Sequence, residues 1–480
     1  MDTGEFPGYE FEVPRGQRRA AGHDSLPEAR YAPQHAHESR SPVLAAGSGV
    51  LAVMRNRNWL LGLAMPILAA IAVGIAAVVI SGGSGGSGAA PSALAAGFPP
   101  ARLAGADFTG TGAAVRVVLA AVGASGGTEV AVGGSDGGPA LWVSADGGTT
   151  WSRAALAGQA PLTRAGTGQL AGVAHGAAGW LAVGTTLAGG GGPLVATSAG
   201  GQHWTVTGVV AGSSGPNVVA SAAAAGRGGY VIVGHQPAGP DGVVVAAAWY
   251  APGLAGWRSA AIAGPSAAGA GSQVADQEMN AVTATASGFT AVGASGTRPS
   301  AWLSAGGQSW RQVLLPMPGG AARAALDYVG AAGTAIVAAG TEFTAGGASR
   351  PFTEVSADAG ATWTAVQLPV PDIGPGTGTT VTALTAADGG FTATGTYVTK
   401  AGPEVVVWTL PPGTSVTSGS GWGVVTPQGT GLASTSTENA ITALTADGVT
   451  LTGVGFTAAL TASGTPGAQQ PTLWQSPIRY

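Results

Sequence analysis

From about residue 115 onward the chain alternates between apolar and polar positions in short runs that end in glycine. These runs are TEVAVG (128–133), GWLAVG (179–184), GYVIVG (229–234), GFTAVG (288–293), GFTATG (390–395) and LTGVG (451–455), with a weaker copy, TAIVAAG (334–340), before the last two. Each is followed by a second run: ALWVS (140–144), PLVATS (193–198), AAAWYA (246–251), SAWLS (300–304), FTEVS (352–356), EVVVWTL (404–410) and TLWQS (472–476). A third kind opens each unit: VRVVLAAV (115–122), QLAGVAH (169–175), NVVASAAA (217–224), NAVTATA (280–286), ALDYVGAA (325–332), TVTALTAA (380–387) and NAITALTA (439–446). A fourth begins at tryptophan: Trp151, Trp204, Trp257, Trp310 and Trp363 are each 53 residues apart, and Trp422 follows 59 later. Period-two runs rich in Val, Thr and aromatic residues, separated by Gly-rich turns, predict strands, and helical periodicity is nearly absent.

Seven units of four short strands at a period of 40–60 residues predict an all-β fold, a seven-bladed β-propeller over 101–480. No unit can bury both of its faces alone, so each blade must stack on the next. The seventh unit ends at TLWQSPIRY without a fourth strand. The segment ARLAGADFTG (101–110) is expected to supply that strand and lock the ring.

The stretch SADGGTTW (144–151) recurs as SADAGATW (356–363). A short polar turn of this kind can fold on itself: the Asp side chain bonds back to backbone N–H groups, Gly supplies a left-handed conformation, and Trp packs inward. Ser144, Asp146, Gly148 and Trp151 carry the pattern in one copy, and Ser356, Asp358, Gly360 and Trp363 in the other. This pattern resembles the Asp-box (BNR) repeat of sialidase-type β-propellers. SAGGQHW (198–204) and SAGGQSW (304–310) lack the Asp and one residue, and the turn before Trp257 keeps only Gly and Trp. In that family the box is structural, so the resemblance implies the fold and assigns these eight residues no catalysis.

Three segments precede the repeats. Residues 1–58 hold seven arginines and seven acids without sustained periodicity, the pattern of a disordered tail. WLLGLAMPILAAIAVGIAAVVI (59–80) carries no charge over 22 residues. At about 1.5 Å per residue it spans roughly 33 Å, enough for a bilayer core. Arg55 and Arg57 stand just before it and the next basic residue is Arg102, which orients the N-terminus to the cytoplasm. The run is too long and too far from the start for a cleaved signal peptide, so it reads as a signal anchor rather than a leader or a buried core helix. SGGSGGSGAAPSALAAGFPP (81–100) is a Gly/Ser/Pro-rich linker. The expected arrangement is a single-pass membrane protein with an extracytoplasmic propeller.

Composition narrows the chemistry. Charged residues are 9% of the chain and the formal net charge is −4, so no nucleic-acid partner is expected. There is no cysteine, which excludes disulfides and thiolate metal sites. Lys400 is the single lysine, which with the Ala/Gly bias points to a high-GC bacterial genome of actinobacterial type. His175, His203 and His235 lack metal-ligand spacing, so no metal and no cofactor are expected.

The resemblance implies a test for sialidase chemistry: an arginine cluster, a tyrosine nucleophile with a glutamate, and an acidic Asp. The Arg-Ile-Pro motif of that family does not occur. Tyr230 occupies the aromatic slot of a repeat strand, equivalent to Trp180 and Phe289. Gly123-Ala-Ser-Gly-Gly127 matches a nucleophile elbow in letters, but a strand follows where that motif needs a helix. No catalytic residue is assigned. The variable connections 185–192, 235–242, 341–350, 396–402 and 456–470, and the acidic link SQVADQEMN (272–280), are the functional candidates, because loops on a rigid scaffold carry function. The expectation is a non-catalytic module that binds a protein, peptide or glycan at a propeller face. The alternative is a sialidase-like glycoside hydrolase or lyase.

Overall fold

The computed structural model describes residues 117–478, apart from 136–137, 159–167, 187–191, 210–217, 239–242, 265–274, 373–375, 400–401, 428–431, 433–436, 449 and 461–465. The tail, the apolar run 59–80, the linker and segment 101–110 lie outside these residues. Among the described residues no helix is long and apolar enough to cross a membrane.

The predicted strands form, and they form seven sheets. Blade 1 holds β1 (Val117–Ser125), β2 (Thr128–Ser135), β3 (Gly138–Ser144) and β4 (Ser152–Arg153). After β5 (Ala155–Gly158), blade 2 holds β6 (Gly168–Gly176), β7 (Gly179–Thr186), β8 (Gly192–Ser198) and β9 (His203–Val209). Blade 3 is β10 (Val219–Gly226), β11 (Gly229–Pro237), β12 (Val244–Ala251) and β13 (Arg258–Ser259). After β14 (Ala261–Ala263), blade 4 is β15 (Gln277–Thr285), β16 (Gly288–Ser295), β17 (Arg298–Ser304) and β18 (Ser309–Leu314). Blade 5 is β19 (Ala321–Ala332), β20 (Ala335–Thr344), β21 (Ser349–Ser356) and β22 (Thr364–Gln367). Blade 6 is β23 (Gly376–Ala387), β24 (Gly390–Thr399), β25 (Gly402–Leu410) and β26 (Gly423–Val425). Blade 7 has three strands among the described residues, β27 (Thr437–Asp447), β28 (Thr450–Leu460) and β29 (Pro466–Pro477).

The opening strands pack in cyclic order, and β27 meets β1, so the ring is closed. Seven apolar clusters sit one at each seam between blades. Trp142 and Trp151 belong to the seam with blade 7, Trp180 and Trp204 to that with blade 1, and Trp302 and Trp310 to that with blade 3. Tryptophans of the second and third strands and of the box turns thus reach back onto the preceding blade, which is why a single unit could not hold itself together.

The glycine that closes each Val-Gly run, inside the second strand, has a specific cause. Every opening strand carries a β-bulge at the same place, shifting register after Leu119, Leu170, Ala220, Met279, Leu326, Val381 and Ile441. The bulge turns a carbonyl of the opening strand toward its partner. A Cβ at Gly133, Gly184, Gly234, Gly293, Gly340, Gly395 or Gly455 would lie 1.8–2.2 Å from that oxygen. Only glycine fits, and the sequence signature is the imprint of seven bulges.

Two elements depart from the four-strand expectation. The short strands β5 and β14 leave blades 1 and 3 and pair in parallel with β9 and β18, the outer strands of blades 2 and 4. Each stitches one blade to the next.

Candidate functional site

Because strands alternate in direction within each blade, the box turns share one rim with the turns between first and second strands. Gly147 N donates to Gly127 O (2.8 Å), and Ala359 N to Thr334 O (2.9 Å). The 2–3 connections and the links between blades form the opposite rim, here called the loop rim.

On the box rim the eight sequence-selected residues come together as two closed turns. Ser144 Oγ donates to Asp146 Oδ1 (2.7 Å) and accepts from Gly148 N (2.8 Å). Asp146 Oδ1 accepts from Thr150 N (2.8 Å), Oδ2 accepts from Thr150 Oγ1 (2.6 Å), and Trp151 Nε1 donates to Gly148 O (2.8 Å). Ser356, Asp358, Gly360, Thr362 and Trp363 repeat every one of these bonds. Gly148 has φ 82° and Gly360 φ 91°, the left-handed region. Bonds from Thr150 first, then from Ser144, hold the Asp146 carboxyl at about 2; Thr362 and Ser356 do the same for Asp358. Without the Asp, the turns at Ser198 and Ser304 keep the Ser-to-Gly and Trp-to-Gly bonds. Both carboxylates thus accept from the N–H and O–H groups of their own turns.

On the loop rim several described ionisable groups gather over blades 3 to 5, and Glu404 and Glu438, both raised by burial, stand at strand starts of blades 6 and 7. Within the acidic link, Asp276 Oδ1 accepts from Val244 N (3.1 Å), and Gly296 N donates to Asp276 O (2.8 Å), so this residue ties blade 3 to blade 4. Next to it His235 is buried with Nδ1 unpartnered; burial pushes the imidazole down to about 4 against the upward pull of Asp276. His175 and His203 lie toward the box rim, so the three histidines do not converge. Arg298 Nη2 donates to Leu315 O (3.3 Å), Arg323 lies 4.6 Å over the Phe343 ring, and Arg350 pairs with the fully buried Glu342 at 3.2 Å. These arginines stand at adjoining strand ends: Ala324 N donates to Thr297 O (3.0 Å), and Arg323 and Arg350 are cross-strand partners of Phe343 and Glu342. Of the variable connections, 341–350 is described throughout, as a hairpin end closed by Thr344 N to Ala348 O (3.0 Å). The others lie partly outside the described residues. Arg153 and Arg311 are exposed on outer strands, and Tyr230 is core: its hydroxyl donates to Gly179 O (2.9 Å) and accepts from Ala178 N (3.0 Å).

Three buried carboxyls escaped the sequence reading: Glu129, Glu354 and Glu438, the last raised by burial at the start of β27. Glu129 takes the seat that holds Trp180, Tyr230, Ile336, Phe289, Phe391 or Leu451 in the other blades, each opposite the last residue of the third strand. Burial pushes Glu129 up to about 7, against the lowering bond from Thr452. Glu354 takes the seat filled by tryptophan in five blades (Trp142, Trp249, Trp302, Trp408, Trp474) and by Ala196 in blade 2. It is fully buried with both oxygens unpartnered, and burial pushes it up to about 8. A signal was present: an acid interrupts a repeated aromatic column. A shallow recess of about 160 Å³ opens at the seam of blades 4 and 5, lined by Phe289, Thr290, Leu303 and Ala359. No group of three or more metal-ligating side chains occurs among the described residues.

No protein-family model matches the chain, and no curated protein is similar to it. Solved structures are similar in architecture. "YCF48 bound to D1 peptide" is 13% identical over 75% of this chain and 93% of that one, with a TM-score of 0.43. A protein of unknown function from Dyadobacter fermentans is 13% identical over 76% and 95%, with a TM-score of 0.42. The phage phi92 endosialidase is 12% identical over 76% and 68%, with a TM-score of 0.42. At these identities no residue role passes from one chain to the other.

Proposed function

We propose that the chain is a membrane-tethered binding module of the Asp-box type, held outside the cytoplasm by residues 59–80, whose loop rim engages a protein, peptide or glycan. The observation that carries this reading is that three held guanidinium groups gather on the loop rim over blades 4 and 5, apart from four of the perturbed carboxyls. Glu129 and Glu354 are sealed in seams between blades, and Asp146 and Asp358 are consumed by box turns on the other rim. General acid–base catalysis needs a tuned group within reach of the substrate. The loop rim over blades 4 and 5 offers guanidinium donors positioned by a carbonyl, a ring and a buried carboxylate, which suits hydrogen-bonded recognition; the carboxyls that burial raises at this rim, Glu404 and Glu438, stand on blades 6 and 7.

A sialidase-like hydrolase is the second reading, favoured by the gathering of Arg298, Arg323 and Arg350 at adjoining strand ends. Assay of the purified protein against sialosides and aryl glycosides separates the two. The binding reading expects no turnover. Product formation abolished by Glu342→Gln and retained by Asp146→Asn overturns it.

A further inference from the structure

The seam between blade 7 and blade 1 closes the ring. It joins segments more than 300 residues apart, and it does so with polar side chains. Thr442 Oγ1 donates to Leu119 O (2.9 Å) and Gly127 N donates to Asp447 Oδ2 (2.6 Å). Gln475 Nε2 donates to Gly147 O (2.6 Å), and Thr452 Oγ1 donates to Glu129 Oε1 (3.0 Å). Glu129 and Thr452 are both buried, and the second Glu129 oxygen is unpartnered. That oxygen and the Gln475 amide crowd the point where a Gly148 side chain would begin. Where Phe289 and Phe391 fill this seat with apolar surface, the closing seam holds an acid.

We propose that this seam is a proton-held joint: the ring is closed firmly while Glu129 carries its proton and loosens at this seam when the proton leaves. The charged groups facing Glu129 are Asp447 from blade 7 and Asp146 from the box turn, both of its own sign, and both favour the protonated form. Neutral Glu129 fits a buried seat whose donor is Thr452. Ionised Glu129 is a buried charge with one donor and two like charges nearby, an arrangement that favours separation of the blades. Burial, first, raises its pKa from 4.5 to about 7, so the seam is firmest below pH 4.5 and weakens as pH rises toward 7.

Hydrogen–deuterium exchange of the full-length protein in detergent, corrected for intrinsic rates between pH 5.5 and 8.5, tests this. Protection of β1, β2 and β27–β29 is expected to fall by up to about tenfold per pH unit through the transition, the slope of one proton. Blades 2 and 3 are expected to hold. Glu129→Gln abolishes the dependence, and Thr452→Val moves it to higher pH, because it removes the bond that favours the charged form. Should Glu129→Gln fold poorly, the direction of the Thr452→Val shift decides alone. Loss spread evenly over all seven blades, a pH-independent closing seam, or a dependence unchanged in both variants overturns the proposal.

Discussion

A Cβ on Gly293 would stand 1.8 Å from the carbonyl oxygen of Glu278. The two residues sit on neighbouring strands at the bulge of blade 4, and no rotamer relieves a clash between a β-carbon and a backbone oxygen. Gly293→Ala must therefore move the opening strand away from its partner. It is expected to cost about 3 kcal/mol or more, whereas Gly306→Ala, with open space around its Cβ position, stays within roughly 0.5 kcal/mol. Urea denaturation of the two variants checks the contrast.

In the box turns, Ser144→Ala leaves the buried Gly148 N–H without its acceptor. The expected loss is about 1–3 kcal/mol, the cost of an unsatisfied buried donor. Because the folded-state values of Asp146 and Asp358 are depressed to about 2, their contribution is present above pH 3.8 and lost as pH falls toward 2. Melting curves between pH 2 and 5 should show this loss shrink in an Asp146→Asn, Asp358→Asn double variant.

Glu354 works in the opposite direction. Its folded-state value lies above the unfolded one, so its stability contribution is full below pH 4.5 and declines as pH rises toward 8. Glu354→Leu puts an apolar side chain into an apolar seam. It is expected to stabilise the protein above pH 7 by on the order of 1–4 kcal/mol, with little change at pH 4. A variant less stable than wild type at pH 8 would sink this reading of the seat.

Blade 7 has three strands among the described residues, and β1 packs against it. Removing residues 101–110 from the full chain is expected to lower the melting temperature sharply, because β29 then keeps an open edge. An unchanged melting temperature argues against closure by that segment.

Protease added to intact cells is expected to digest the chain beyond Ser81 and to spare the first 55 residues or so. Protection of the propeller under those conditions overturns the proposed orientation.

The period of 53, the Val-Gly runs and the tryptophans were legible because seven copies of one physical constraint repeat in register. A bulge forces glycine, and a seam demands a large ring facing backward. What stayed hidden is what does not repeat. β5 and β14 are built from Ala, Gly, Leu and Ile with no pattern of their own, since the register of each is set by the neighbouring blade. Arg298, Arg323 and Arg350 are separated by irregular intervals, and topology alone brings their strand ends together. Glu129 and Glu354 were visible as letters, yet their meaning required the columns of Trp and Phe that they interrupt.

The parallel stitches also bear on how the ring carries load. A pull on the chain before Val117 enters blade 1 through β1, and β5 passes part of it straight to the outer strand of blade 2. Blade 1 cannot peel away without stripping a strand from its neighbour, and β14 couples blades 3 and 4 in the same way. Under tension the propeller is therefore expected to yield in coupled pairs rather than blade by blade, with steps in a force–extension trace near the contour length of two units.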